Sequence, residues 1–226
     1  YQPVRSVLAR SASPAAVARG FVTQLGLRRA YVADLDAIAG RAPDRQALAA
    51  LAAAGLTLLV DAACADVDRV HELTEGCQTP GALQGIVVAS ESLAAPHMLP
   101  ALLEAIGPER AVFSLDLQAG QVLAASQTLR GILPAEVAAL AFQAGFRRLI
   151  VLDLSGVGVA QGPVTIALCR TLAAQHPWSE LISGGGVRHV EDLHALQLAG
   201  CGGALIASAL HDGSLVRADL DRWGTG

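Results

Sequence analysis

Short apolar runs alternate with helix-forming segments along this chain, and this alternation constrains its fold more than any other feature. Most of these runs close on an aspartate, a serine or a glycine, and they recur at intervals of about 25–35 residues. Continuous apolar runs are typical of buried parallel strands, which are joined by helical crossovers. The sequence therefore predicts an α/β protein with a parallel sheet. The seven runs lie at 30–35, 56–60, 85–89, 111–117, 149–154, 181–182 and 204–207.

An internal repeat indicates how the sheet is arranged. YVADLDAIAG at 31–40 matches IVLDLSGVGV at 150–159, so that Asp34 pairs with Asp153. Two similar halves, each of four strand–helix units, make a (β/α)8 barrel. We therefore expect a TIM barrel built from two half-barrels.

Seven runs are one strand short of that barrel. The repeat places the counterpart of Asp116 before Tyr1, at the position of a first strand. We expect a single barrel domain over 1–226, a usual length for this fold, with its first strand absent from the printed chain. The alternative is that residues 4–8 form that strand, although Arg5 and Ser6 interrupt the run.

Composition disfavours several classes of protein. The chain contains no lysine, and its 16 arginines are scattered rather than clustered, which argues against a nucleic-acid face. Apolar runs are interrupted well before 18 residues, so we expect no transmembrane helix, and no signal peptide is visible. We expect a cytoplasmic protein; whether it forms a homo-oligomer stays open. The cysteines and histidines lack metal-ligand spacing, so we expect no metal.

A glycine-rich segment between the last two runs indicates an anion site. Three glycines follow the run at 181–182, and the run at 204–207 opens onto a serine. Glycines let backbone N–H groups approach a ligand, and the loops after strands seven and eight of a TIM barrel recurrently bind phosphate. The alternative is a glycine-rich turn without a ligand. The predicted phosphate-binding residues are Gly184, Gly185, Gly186, Ala207 and Ser208.

Four segments together resemble the HisA/HisF family of histidine biosynthesis. They are YVADLDAI at 31–38, VFSLDLQAG at 112–120, SGGGVRHVEDL at 183–193 and ALIASALHDG at 204–213. The similarity spans nearly the whole chain and is nearest to the branch that isomerises phosphoribosylformimino-5-aminoimidazole carboxamide ribotide. It implies a (β/α)8 barrel of two half-barrels and an Amadori rearrangement, in which an aminoaldose becomes an aminoketose.

The resemblance also implies roles for strand-end acids. The rearrangement needs a general acid to open the ribose ring and a general base to remove the C2 proton. Asp116 matches the family's aspartate on strand five and is the first catalytic candidate. Asp34 and Asp153, at the ends of strands two and six, are the further candidates. The implied partner is a small phosphorylated substrate, and no cofactor is implied.

The chain departs from the family pattern in ways that leave its substrate open. Where the isomerase has a second glycine-rich phosphate loop, this chain reads LLVDAACA at 58–65, and the Asp61 carboxylate would repel a phosphate. The family's Thr and Asp-Gly-Thr after strand six are replaced by Leu152 and by VGV at 157–159. Two alternatives therefore stand beside the isomerase. One is a divergent paralogue in one-carbon carrier cofactor biosynthesis that acts on a monophosphate. The other is a non-catalytic barrel that binds a phosphate ligand, which the intact SLD at 114–116 disfavours.

Overall fold

A computed structural model describes residues 5–77, 79–156 and 162–223. Its main sheet has the strand order β1-β2-β3-β4-β6-β7-β8, and each neighbouring pair in this order is parallel. The two-residue β5 folds back antiparallel on β4 and lies off this path. The strands are β1 (Arg29–Ala33), β2 (Thr57–Asp61), β3 (Leu83–Ala89), β4 (Ala111–Gln118), β5 (Gln121–Val122), β6 (Arg148–Asp153), β7 (Glu180–Gly184) and β8 (Gly203–Leu205).

Helices fill the crossovers between the parallel strands. Side-chain caps and proline start several of them: the Ser13 hydroxyl accepts from the N–H of Ala16, and Pro14 occupies the first helical position. No described helix combines the length and the apolarity needed to cross a membrane. The helices are α1 (Pro14–Leu25), α2 (Leu35–Ile38), α3 (Arg45–Ala53), α4 (Val67–Gly76), α5 (Leu99–Ile106), α6 (Pro134–Gln143), α7 (Ile166–Gln175), α8 (Val190–Leu198), α9 (Ser208–His211) and α10 (Arg217–Leu220).

The strand and helix order confirms the expected α/β barrel. Seven parallel strands follow one another around the sheet, and among the described residues β8 and β1 do not pair with each other. A cavity of about 550 Å³ lies between these two strands. Among the described residues, the parallel sheet is therefore open between β8 and β1.

The alternative that residues 4–8 form the first strand is not supported by the described part of this segment. Residues 6–9 form a turn closed by a bridge between Ser6 and Ala9, and Val4 lies outside the described residues. The Val7 N–H donates to the carbonyl of His211, after β8. The segment therefore packs against the end of α9 instead of joining the sheet.

The core has two layers, as the alternation of side chains along strands requires. The larger layer lies between the sheet and the helices and includes Phe113 and Phe146, whose rings pack edge to face at 6.0 Å. The smaller layer fills the barrel interior. Its buried members are Val87, Ala89, Val112, Ile150 and Ile182, against which Tyr31, Leu59, Leu152 and Leu205 pack.

Candidate active site

The barrel interior determines which strand-end acids point inward. Leu59 and Val112 belong to the interior cluster, and side chains on one face of a strand recur every second residue. Asp61 follows Leu59 by two positions on β2, and Asp116 follows Val112 by four on β4. Both carboxyl groups therefore point into the barrel at the carboxyl ends of their strands, where TIM barrels carry their active sites.

Asp116 is buried and held by two serines. The Ser114 hydroxyl donates to Oδ1 of Asp116 at 2.7 Å, and the backbone N–H of Asp116 donates to the Ser90 hydroxyl at 3.0 Å. The side chain is only 5% exposed. Burial raises the pKa of Asp116 to about 7; the charges of Glu91 and Asp61 add to the shift, and the Ser114 hydrogen bond opposes it. Asp116 is therefore poised to give or take a proton near neutral pH.

Asp61 and Tyr31 form a second polar group beside Asp116. The Tyr31 hydroxyl, on β1, donates to Oδ2 of Asp61 at 3.2 Å, and the Ala63 N–H donates to Oδ1 at 3.1 Å. Burial raises the pKa of Asp61 to about 6, although these two hydrogen bonds oppose the shift. Neither residue was among the catalytic residues predicted from the sequence. The signal available was the two-residue step from Leu59 to Asp61, which places the acid on the interior face.

Asp34 lies apart from this inward group. Its Oδ1 accepts from the N–H of Ala37 and caps α2, and its Oδ2 accepts from the N–H of Asp44 at 2.7 Å. Both oxygens are thus engaged by backbone donors of the loop that follows β1. Asp34 therefore stabilises the loop after β1 through these hydrogen bonds, and the structure does not place it beside Asp116.

Asp153, the repeat partner of Asp34, is engaged in the same way. Its oxygens accept from the backbone N–H groups of Ala119, Gly120 and Ser155. Burial opposes ionisation, but these bonds and that of the Ser155 hydroxyl together hold the pKa of Asp153 below its ordinary value. Asp153 therefore anchors the turn between β4 and β5, and of the three predicted catalytic aspartates only Asp116 points into the barrel.

The glycine loop after β7 faces the cavity between β8 and β1. Gly185 and Gly186 line this cavity together with Ala207 and Ser208, whereas Gly184 lies within β7 and packs on Leu205. Gly186 has a φ of 85°, and a Cβ there would meet the carbonyl oxygen of Gly162 at 2.8 Å. The structure thus brings four of the five predicted phosphate-binding residues to one wall.

Backbone donors remain available at that wall. Within the described residues, the N–H groups of Gly185, Gly186, Ala207 and Ser208 have no hydrogen-bond acceptor. Arg188, which the sequence prediction did not include, also lines the cavity and adds a cation, while Asp212 adds a carboxylate.

Tyr31 connects the cavity with the buried acids. Tyr31 is one of the residues that line the cavity, whereas Asp61 and Asp116 are not. The Tyr31 hydroxyl contacts Asp61. The described residues contain no cluster of three or more histidine, cysteine or acidic side chains arranged to hold a metal ion. The cavity is thus lined by loops with backbone donors and by a tyrosine that contacts a buried carboxyl group.

Comparison with known proteins identifies the family. The family model described as "Histidine biosynthesis protein" matches residues 2–216. Three similar proteins share the name 1-(5-phosphoribosyl)-5-((5-phosphoribosylamino)methylideneamino) imidazole-4-carboxamide isomerase. The protein from Lactiplantibacillus plantarum is 29% identical over 209 residues, which cover 88% of this chain and 82% of the relative. The protein from Deinococcus radiodurans is 30% identical over 205 residues, covering 90% and 83%, and that from Syntrophomonas wolfei is 30% identical over 218 residues, covering 94% and 86%.

These matches span nearly the whole chain, and the matched relatives are isomerases. They confirm the resemblance drawn from the four sequence segments and the expectation of an isomerase. The chain belongs to the histidine biosynthesis protein family.

Proposed function

We propose that this isomerase carries out an Amadori-type rearrangement of a phosphoribosyl compound, with Asp116 as a general acid or base. The observation that carries the proposal is a buried carboxyl group at the mouth of a barrel of this family, with its pKa raised to about 7. A group with such a pKa can both donate and accept a proton at neutral pH. The names of the relatives support the reaction class.

The loops after β7 and β8 are the proposed phosphate site. Gly185 and Gly186 direct backbone toward the cavity, and Ala207 and Ser208 approach it from the other side. Unengaged N–H groups at such loops favour an anion, and Arg188 adds to the attraction. A phosphate bound there would leave the rest of the substrate extending toward Tyr31.

A second candidate is a substrate with one phosphate instead of two. The relatives are named for a compound with two phosphoribosyl groups. In this chain, two backbone N–H groups of the loop after β2 are engaged within the loop itself. The Ala63 N–H donates to Asp61, and the Ala65 N–H donates to the carbonyl of Ala63. With Asp61 and Glu91 nearby, this end disfavours a phosphate and suits a hydroxyl or an amine. This favours a paralogous isomerase that acts on a monophosphate.

Calorimetry and turnover on the full chain test both candidates. The ligands are the two-phosphate histidine intermediate, a ribose monophosphate and inorganic phosphate. The family reaction predicts binding and turnover of the two-phosphate compound; the paralogue predicts binding of the monophosphate and no turnover of the larger compound. Failure of all three ligands to bind would overturn the proposed phosphate site.

Asp116→Asn tests the catalytic assignment. The substitution keeps the volume and removes the titrating group, so kcat should fall by about 10²-fold or more while ligand affinity stays within about threefold. Asp44→Asn is the matched control, because Asp44 caps α3 on the exposed surface and asparagine caps helices equally well. Unchanged turnover in Asp116→Asn would exclude Asp116 as the acid or base.

A further inference from the structure

Ser114 is a buried side chain beside the proposed catalytic group, and the proposed function has not used it. It is 1% exposed and lies two positions before Asp116 on β4, so both side chains point from the same face of the strand. The Ser114 hydroxyl donates to Oδ1 of Asp116 at 2.7 Å, the usual length of a good O–H···O hydrogen bond. A buried hydroxyl is therefore fixed on one oxygen of the carboxyl group.

The two oxygens of Asp116 are held unequally. Oδ1 accepts the short bond from Ser114, whereas the side-chain donor that approaches Oδ2 in the described structure is the Ser90 hydroxyl, at 3.5 Å. Ser90 has one hydroxyl hydrogen, and the shorter contact, to the carbonyl of Leu123 at 2.9 Å, takes it. The Ser90 oxygen accepts from the backbone N–H of Asp116 at 3.0 Å. Ser90 therefore holds the backbone of Asp116, and Oδ2 is left without a short side-chain hydrogen bond.

The surroundings of Asp116 give the Ser114 bond added weight. The titratable groups that face Asp116 are all acids, and they are Tyr31 from β1, Asp61 from β2 and Glu91 after β3. Burial raises the pKa of Asp116; the Ser114 hydrogen bond is the largest effect in the opposite direction, and the backbone N–H of Glu91 adds to it. None of the ion pairs found in the described residues includes Asp116. A hydroxyl group therefore stabilises the carboxylate here in place of a cation.

We propose that Ser114 is a positioning residue, which binds Oδ1 and so leaves Oδ2 as the atom of Asp116 that gives and takes the proton. The inference rests on the proposed function, in which Asp116 is the acid or base. In the acid form the proton is on Oδ2, and Oδ1 is the carbonyl oxygen that accepts from Ser114. When the proton passes to the substrate, the O–H bond breaks with its electron pair on Oδ2, and the Ser114 bond stays in place. Ser114 itself exchanges no proton and acts through Asp116.

Ser114→Ala is the direct test, with Ser179→Ala as its matched control. Both substitutions remove a hydroxyl that donates at 2.7 Å, in the control to the carbonyl of His176. Ser179 lies just before β7, at the amino end of the strands, whereas Asp116 lies near the carboxyl end of β4. We expect Ser114→Ala to lower kcat by about tenfold or more with KM within about threefold, because the carboxyl group is then free to turn. Ser179→Ala should stay close to the wild type.

The titration of Asp116 separates positioning from a purely structural role. Loss of a hydrogen bond to the ionised form raises the pKa of a carboxyl group, by about one unit for a bond of ordinary strength. We expect this rise in the pH dependence of kcat/KM for Ser114→Ala, and no rise for Ser179→Ala. Carbon-13 NMR of the resting protein should show the same rise without turnover, with the Asp116 signal assigned by its absence from Asp116→Asn.

The outcomes distinguish this inference from the proposed function. Unchanged kcat in Ser114→Ala, with wild-type turnover intact, would overturn the inference and leave the proposed function standing. A lowered kcat with an unmoved titration of Asp116 would also overturn it, because Ser114 would then only support the fold. Absence of turnover in the wild type would overturn the proposed function, and the inference with it.

Discussion

Asp116, the proposed acid or base, is a single residue whose burial costs the fold stability. The folded protein holds its carboxyl group among buried side chains, where the pKa rises to about 7 from an ordinary value near 3.8. The folded state therefore binds a proton that the unfolded chain has already released between those two values. Stability falls as pH rises through this interval, because the buried group must then ionise.

Asp116→Asn should remove that cost. Between pH 5 and pH 8, the free energy of unfolding of the wild type should fall by about 2–3 kcal/mol more than that of the variant. The estimate takes about 1.4 kcal/mol per pH unit over the part of this range in which the folded state holds the extra proton. Urea unfolding at both pH values measures the difference. Asp61 titrates nearby in both proteins, so its contribution largely cancels in the comparison.

Asp153→Asn is the control of opposite sign. Hydrogen bonds hold the pKa of Asp153 below its ordinary value, so its ionised form stabilises the folded state at neutral pH. This variant should lose stability at pH 8 relative to the wild type. Equal pH dependence of stability in the wild type and Asp116→Asn would show that Asp116 is not a buried acid with a raised pKa.

At the residue level, the sequence predicted the candidate acids where a motif identified their positions. It did not predict which of them point into the barrel, because that depends on side-chain direction. SLD at 114–116 marked Asp116 as the first catalytic candidate, and the structure buries this residue. The repeat marked Asp34 and Asp153 as equivalent, and they are, but as outward acids bound to backbone donors. Asp61 was noted as a departure from the family and was not among the predicted catalytic residues. Its inward direction and its contact with Tyr31 depend on the packing of two strands, which the sequence does not show.

The elements themselves follow closely from local signals. The α1 helix begins with a capping serine and Pro14, and α6 begins with Pro134, which are both local start signals in the sequence. The two-residue β5 was not predicted, because its pairing with β4 depends on a turn in which Ala119 has a φ of 51°. A non-glycine residue in this region is uncommon and gives no clear sequence signal.

The loop after β7 is the element whose glycines can be tested. Gly186→Ala places a Cβ 2.8 Å from the carbonyl oxygen of Gly162 and would disturb the wall that holds the proposed phosphate. Gly107→Ala is the matched control, since Gly107 has nearly the same φ, 86° against 85°, but no atom near its Cβ position. Both variants should lose stability because alanine disfavours a positive φ, and Gly186→Ala should lose more because its Cβ also meets a backbone oxygen.

Only Gly186→Ala should weaken phosphate binding. We expect about a tenfold or larger rise in the dissociation constant for a ribose monophosphate, measured by calorimetry, and no change for Gly107→Ala. Equal affinity in the two variants would mean that the glycine loop turns the chain without holding the ligand. That result would favour the alternative of a glycine-rich turn with no anion site.

At the scale of the whole molecule, the two halves that the repeat predicts share one core. The interior cluster takes Val87 and Ala89 from the first half and Val112, Ile150 and Ile182 from the second. The repeat predicted the two halves. It could not predict how tightly they are coupled, because that depends on contacts between residues far apart in sequence. With this much shared apolar surface, we propose that 1–226 folds as one domain.

Unfolding in urea tests whether the halves separate. Both tryptophans belong to the second half: Trp178 packs on Phe142 and His176, and Trp223 packs on His194. Their fluorescence therefore reports on that half alone, whereas far-ultraviolet circular dichroism reports on the helices of both. One domain predicts coincident transitions by the two probes. If the half-barrels unfold independently, circular dichroism will show a second transition that the tryptophans do not follow, because the first half then loses its helices at a different urea concentration.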